Sequence, residues 1–144
     1  MRTTARNQFP GIVKSVDLAP VSAQVVIALG AGPEIVATLT RAAVERLQLK
    51  VGMPAVALIK ASAIVLVTDF EDYALSARNQ FAGTVSRIER GAVTSLVILS
   101  MAGGIKFTAS VTNDAIDELG LKPGAAASAV FKAYAVMVAA KGSA

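Results

Sequence analysis

Ala5-Arg6-Asn7-Gln8-Phe9 returns unchanged as Ala77-Arg78-Asn79-Gln80-Phe81, an offset of 72 residues in a chain of 144. With that offset held and no gap, Gly11 falls on Gly83, Val13 on Val85, Val25 on Val97, Ala37 on Ala109, Thr40 on Thr112, Leu49 on Leu121 and Gly52 on Gly124. The match closes with Lys60-Ala61 on Lys132-Ala133 and Ala63 on Ala135. Chance similarity needs gaps to stay in step over such a distance, so the chain reads as a duplicated domain. The first copy is expected over residues 4–68, the second over 76–140, with 69–75 as the connection. Arg and Lys return in register, whereas the chain holds no His and no Cys.

Each copy is near the size at which one core barely sustains a fold. A hydrophobic content of 54% and a mean hydropathy of +0.60 are high for so small a chain, and surplus apolar surface ordinarily ends in a subunit interface. Residues 51–67 and 123–140 are almost wholly apolar, but each carries a central Lys, Lys60 and Lys132, which opposes membrane insertion. Buried strands explain both runs better. The opening Met1-Arg2-Thr3-Thr4 has no apolar signal-peptide core, so a cytoplasmic location is expected. The lack of Cys excludes disulfides, thiolate metal sites and a Cys nucleophile.

The hydrophobic period predicts three strands in each copy. The first alternates at Phe9, Gly11 and Val13, with Gly11 marking a close backbone approach. The second covers residues 21–29 and 93–101, ended by Gly30-Ala31-Gly32-Pro33 and by Ala102-Gly103-Gly104. The third covers 34–39 and 106–111. A short helix follows at 41–48, capped by Thr40, with Val44 and Leu47 facing inward; in its twin Ile116 and Leu119 do so. Two strands close each copy, at 55–60 with 63–67 and at 127–132 with 135–138. Three strands, a helix and two strands is the order of a five-stranded OB-type barrel, so the fold class is all-β with short helices, two barrels in tandem. Val26, Leu96 and Ile98 occupy outward positions of the second strand, which points to an outer face that meets another barrel.

Chemistry gathers at two places in each copy. Thr4-Ala5-Arg6-Asn7 and Ser76-Ala77-Arg78-Asn79 set a hydroxyl two residues before a guanidinium. Lys60-Ala61-Ser62 and Lys132-Ala133-Tyr134 set an ammonium and a hydroxyl where one strand gives way to the next. Guanidinium, ammonium, hydroxyl and free backbone N–H form a donor-only set, suited to an oxyanion. A lone surface Arg or Lys would carry no such meaning; two types repeating at one spacing do.

These residues resemble a known family. The Ser/Thr-Ala-Arg-Asn-Gln-Phe opening, the strand through Gly11 and Val13, the helix begun by Thr40 and the Leu58-Ile59-Lys60-Ala61-Ser62 ending are similar to a Mop domain, the OB-type molybdate-binding module of the molbindins. Two in tandem resemble the cytoplasmic di-Mop molbindins, over nearly the whole chain. The resemblance implies a homotrimer holding molybdate or tungstate at interfaces between domains, for storage or homeostasis, with no catalytic cofactor. It places ligands at Thr4, Arg6, Thr40, Lys60, Ala61 and Ser62, and at Ser76, Arg78, Thr112, Lys132 and Ala133. The Ser often found three residues after the helix-initiating Thr is Ala43 here, and Ala115 in the second copy; Tyr134 stands opposite Ser62. A second class of site is implied near residues 20–23 and 92–95.

The rival reading is an OB-fold protein for single-stranded nucleic acid. A net charge of +4 and pI ≈ 9.7 suit it, but aromatics make up only 5% of residues and Trp is absent, leaving little to stack bases on. An enzyme is third: without His or Cys, acid–base work would fall to Asp, Glu, Lys or Tyr. Asp17, Glu45 and Asp117 sit where turns and helix faces put them, and neither Gly-rich turn has the Lys-Ser/Thr of a phosphate loop. A free-standing binding protein, not an enzyme, is expected.

Overall fold

The computed structural model describes residues 1–30, 32–70 and 72–141. Ala31 of the expected Gly30–Pro33 turn and Glu71 of the expected connection lie outside them. The first copy supplies β1 (Asn7–Leu18), β2 (Ser22–Ala28), β3 (Glu34–Thr40), α1 (Arg41–Leu47), β4 (Pro54–Ile59) and β5 (Val65–Val67). The second supplies β6 (Asn79–Glu89), β7 (Thr94–Ser100), β8 (Lys106–Thr112), α2 (Asn113–Leu119), β9 (Ala126–Phe131) and β10 (Met137–Ala139). The fold is mostly β, as expected, in two five-stranded antiparallel sheets.

The sheets do not follow the copies. Their strand orders are β10-β4-β1-β2-β3 and β5-β9-β6-β7-β8, so each copy's last strand joins the sheet of the other. Leu66 stands opposite Ala129 in one sheet, and Val138 opposite Ala57 in the other. One compact unit accordingly comprises Met1–Arg6 with Lys60–Phe131; the other takes Asn7–Ile59 and the chain from Lys132 onward.

Inside each unit one long strand serves two neighbours. β1 pairs with β4 over residues 7–12 and with β2 over residues 12–18, its register shifting between Val13 and Ser15. The shift recurs between Val85 and Arg87 of β6, a bulge that bends the strand around the core. Gly11 sits beside the bend. A Cβ there would lie 2.4 Å from the Ala28 carbonyl oxygen and 2.7 Å from Ile27 Cγ2, so the expected close approach is present and admits no side chain. Val13, Val25, Ile27, Ile35, Ala37 and Ile59 are fully buried in one core. In the other, Phe81, Phe107 and Phe131 cluster with ring centroids 5.1–5.8 Å apart.

Two expectations are corrected. The fifth strand of each copy does not begin at residue 63 or 135, because the chain first makes a 3-10 turn, Ala61–Ala63 and Ala133–Ala135. Leu119 is 37% exposed rather than inward. It ends α2, and Gly120 (φ 66) then reverses the chain and puts Leu121 into the core.

Candidate anion-binding site

The cations sit where a ladder ends. Asn7 of β1 stands opposite Ile59, the last residue of β4, and Asn79 of β6 stands opposite Phe131, the last of β9. Arg6 directly precedes the first rung and Lys60 directly follows it; Arg78 and Lys132 hold the same places around the second. Beyond those rungs neither strand of the pair continues, so the side chains there can turn to a ligand.

Both lysines open a 3-10 turn of nearly one geometry, with φ/ψ of −68/140° at Lys60 and −75/146° at Lys132. The turn is closed by Ala63 N donating to the Lys60 carbonyl (3.0 Å) and Ala135 N to that of Lys132 (2.9 Å). Ala61 and Ala133 are buried and anchor it, which leaves Lys60, Ser62, Lys132 and Tyr134 exposed. The opening segment of the second copy is held by Gln80, whose Nε2 donates to the carbonyls of Leu75 (3.2 Å) and Ala77 (2.9 Å) around Ser76. In the first copy Ala5 N donates to Thr3 Oγ1 (2.9 Å), and Thr4 and Arg6 are exposed.

Thr40 and Thr112 cap α1 and α2, each Oγ1 accepting from the backbone N–H three residues on, Ala43 or Ala115, at 3.1 Å. Capping uses a lone pair and leaves the hydroxyl proton available for donation.

Strand exchange decides which groups share a unit. The first compact unit contains Thr4, Arg6, Lys60, Ala61, Ser62, Ser76, Arg78 and Thr112, and its Ala61–Ala63 turn packs against β8, the strand that ends at Thr112. The other contains Thr40, Lys132 and Ala133, and its Ala133–Ala135 turn packs against β3, which ends at Thr40. Each lysine turn thus packs on the threonine strand of the other copy.

Among the described residues four basic side chains sit in ion pairs. Ion pairs join Lys14 to Glu34, Arg41 to Glu45 (2.9 Å), Arg87 to Glu89 and Arg90 to Asp117 (3.9 Å). Arg6, Lys60, Arg78 and Lys132 are exposed and belong to none of the ion pairs found among the described residues. No group of three His, Cys, Asp or Glu able to hold a cation occurs among the described residues. Cations without carboxylates, beside hydroxyls, can compensate an anion.

The turns at residues 20–23 and 92–95 are differently occupied. Arg41 Nη1 donates to the Ala19 carbonyl (3.3 Å), and Asn113 Nδ2 does the same to that of Gly91 (3.0 Å). Ser95 Oγ accepts from Gly91 N (3.1 Å) and donates to Asn113 Oδ1, so this hydroxyl is engaged internally. Sequence reasoning missed the bonds of the Ser95 hydroxyl, which cannot form in the first copy because residue 23 is Ala. It also passed over Asn7 and Asn79 as structural devices. The available signal was a polar residue repeated on the inward face of a strand.

A TOBE-domain model matches residues 3–66 and again 75–138, and the chain belongs to this TOBE (Mop) family. Among particular proteins, it is 60% identical over 139 residues to the molybdenum transport protein ModE of Herbaspirillum seropedicae, covering 96% of this chain and 52% of that one. It is 36% identical over 139 residues to the molybdenum-pterin-binding protein MopA of Rhodobacter capsulatus, again covering 96% and 52%. The chain therefore spans about half the length of these relatives. A crystal structure of the cytoplasmic molybdate-binding protein ModG, in a form with molybdate bound, superposes with a TM-score of 0.94 at 45% identity, covering 98% of this chain and all of that one. No helix among the described residues is long and apolar enough to cross a membrane.

Proposed function

We propose that this chain binds molybdate by non-covalent donors, in a role of storage or homeostasis rather than catalysis. The observation that carries the reading is the set of four exposed cations, Arg6, Lys60, Arg78 and Lys132, at matching ladder ends and outside the ion pairs of the described residues. Ser76, Thr4, Ser62, Thr40 and Thr112 add hydroxyl donors, and the turns at Ala61 and Ala133 add backbone N–H groups. Likeness to the ModG structure, full-length and at 45% identity, supports the same ligand. Tungstate, of equal charge and shape, is accepted as well.

The ions lie at interfaces between domains of a homotrimer. Val26, Leu96 and Ile98 support an assembly, being only half-buried on the outer face of β2 and β7. Calorimetry with molybdate, tungstate, sulfate and phosphate, alongside light scattering, tests the reading. Heat with the first two and little with the others is expected. No heat with molybdate, or equal affinity for sulfate, would refute it.

A further inference from the structure

We propose that Asn7, and Asn79 in the second copy, are positioning residues that fix the backbone from which the anion-binding lysine departs. The inference rests on the molybdate reading above and adds to it two residues that touch no ligand. Buried polar side chains are few among the described residues: Asn7 and Asn79 are 2% and 1% exposed, beside Ser95 and Ser128. Burying an amide is unfavourable unless its hydrogen bonds are made, and an aliphatic residue would fill the end of the sheet at less cost. An asparagine in both copies at this rung therefore calls for a directional role.

The geometry supplies one. Asn7 Nδ2 donates to the carbonyl oxygen of Ile59 at 3.1 Å. That carbonyl and the N–H of Lys60 belong to one planar peptide, so holding the oxygen fixes the plane from which Lys60 leaves the sheet. On the far side of Lys60, Ala61 is buried at 8% exposure. The root of the lysine is clamped on both sides while its ammonium stays in solvent. A lysine side chain loses much rotamer freedom when ordered, and a loose root would add to that loss. Arg6 is bonded directly to Asn7 and so stands beside the same rung, but the amide hydrogen bond acts on the Lys60 side alone. Asn79, opposite Phe131 and directly after Arg78, is buried at the same register position next to Lys132.

Molybdate isotherms on the wild-type protein, Asn7→Leu, Lys60→Gln and the double variant test this. Leucine keeps the volume and removes the donor. Asn7→Leu is expected to weaken one class of ions about tenfold, the worth of one hydrogen bond, and to leave the other class unchanged. In the Lys60→Gln background it should cause no further loss, because its effect passes through Lys60. Full additivity, or wild-type affinity in Asn7→Leu, would overturn the proposal. Backbone 15N relaxation on ligand-free protein separates it from the molybdate reading. Greater mobility confined to residues 60–62 is expected in Asn7→Leu whether or not molybdate binds, and none would overturn the role. Asn7→Thr, too short to reach Ile59, serves if the leucine variant does not fold. Failure of the wild type to bind molybdate, with mobility raised as expected, would strike the functional reading alone.

Discussion

Val65, in the last strand of the first copy, pairs with Val130 of the second copy and not with Leu58, the residue that holds Val130's place in its own. Met137 pairs with Leu58 in return. Each sheet is completed by a strand that arrives from the other copy, so neither copy carries all of its own sheet.

A fragment of residues 1–72 is thus expected not to fold as a monomer. It lacks β10, which covers the outer edge of β4, and it lacks β9, on which β5 pairs, and an unpaired edge invites association. Circular dichroism with light scattering should find it unfolded, or folded only as a dimer. A folded monomeric fragment would contradict the strand exchange.

The exchange was not legible in the sequence, for a definite reason. Pairing Val65 with Leu58 or with Val130 sets equivalent residues opposite each other, because the copies are in register throughout. The inward pattern of β5 is satisfied either way, and only the connection decides. By contrast, the close approach at Gly11, the cap at Thr40 and the cation positions are local consequences of residue type, and the sequence carried them. Leu119 failed because the helix is only seven residues long. At its last position the αL residue Gly120 overrides the helical period.

Arg78→Ala and Lys132→Ala should each weaken molybdate binding at the affected sites by about 2–4 kcal/mol, as when one member of a desolvated charge pair is truncated. Arg41→Ala, whose guanidinium already pairs with Glu45, and Lys50→Ala should change little. Calorimetric titration of the four variants checks this. Equal losses throughout would indicate a diffuse basic surface instead.

Thr40→Val and Thr112→Val remove a capping oxygen that now accepts from Ala43 or Ala115. Each should lower stability by about 1 kcal/mol, and Thr→Ser should restore most of it. Urea unfolding of ligand-free protein reads the effect apart from any contribution to anion binding.

Tyr134 puts a phenol, 78% exposed, where the first copy has Ser62 on a turn of nearly the same geometry. The two sets of donors should therefore bind with different affinities, giving a two-phase isotherm. Tyr134→Ser should merge the phases, whereas Tyr134→Phe should not. A single phase in the wild-type protein would show that this position does not differentiate the sites.

Affinity should be nearly constant between about pH 6 and pH 8, because the chain has no His, the side chain that ordinarily changes charge in that interval. Dissociation constants measured across it decide the point. A tenfold change would show that another group titrates with binding.

The phenylalanine cluster gives the two units separate optical identities. Phe81, Phe107 and Phe131 correspond to Phe9, Ile35 and Ile59 in the other copy, so two of the three clustered rings stand where the other interior has isoleucines. Ring-current shifts and near-ultraviolet phenylalanine fine structure will therefore come mainly from the sheet built on β6 and β9. With no Trp to mask it, that signal can be followed on heating beside the far-ultraviolet signal of both sheets. If the curves coincide, the interleaved strands make the chain one thermodynamic body; if they separate, the aliphatic interior melts on its own schedule.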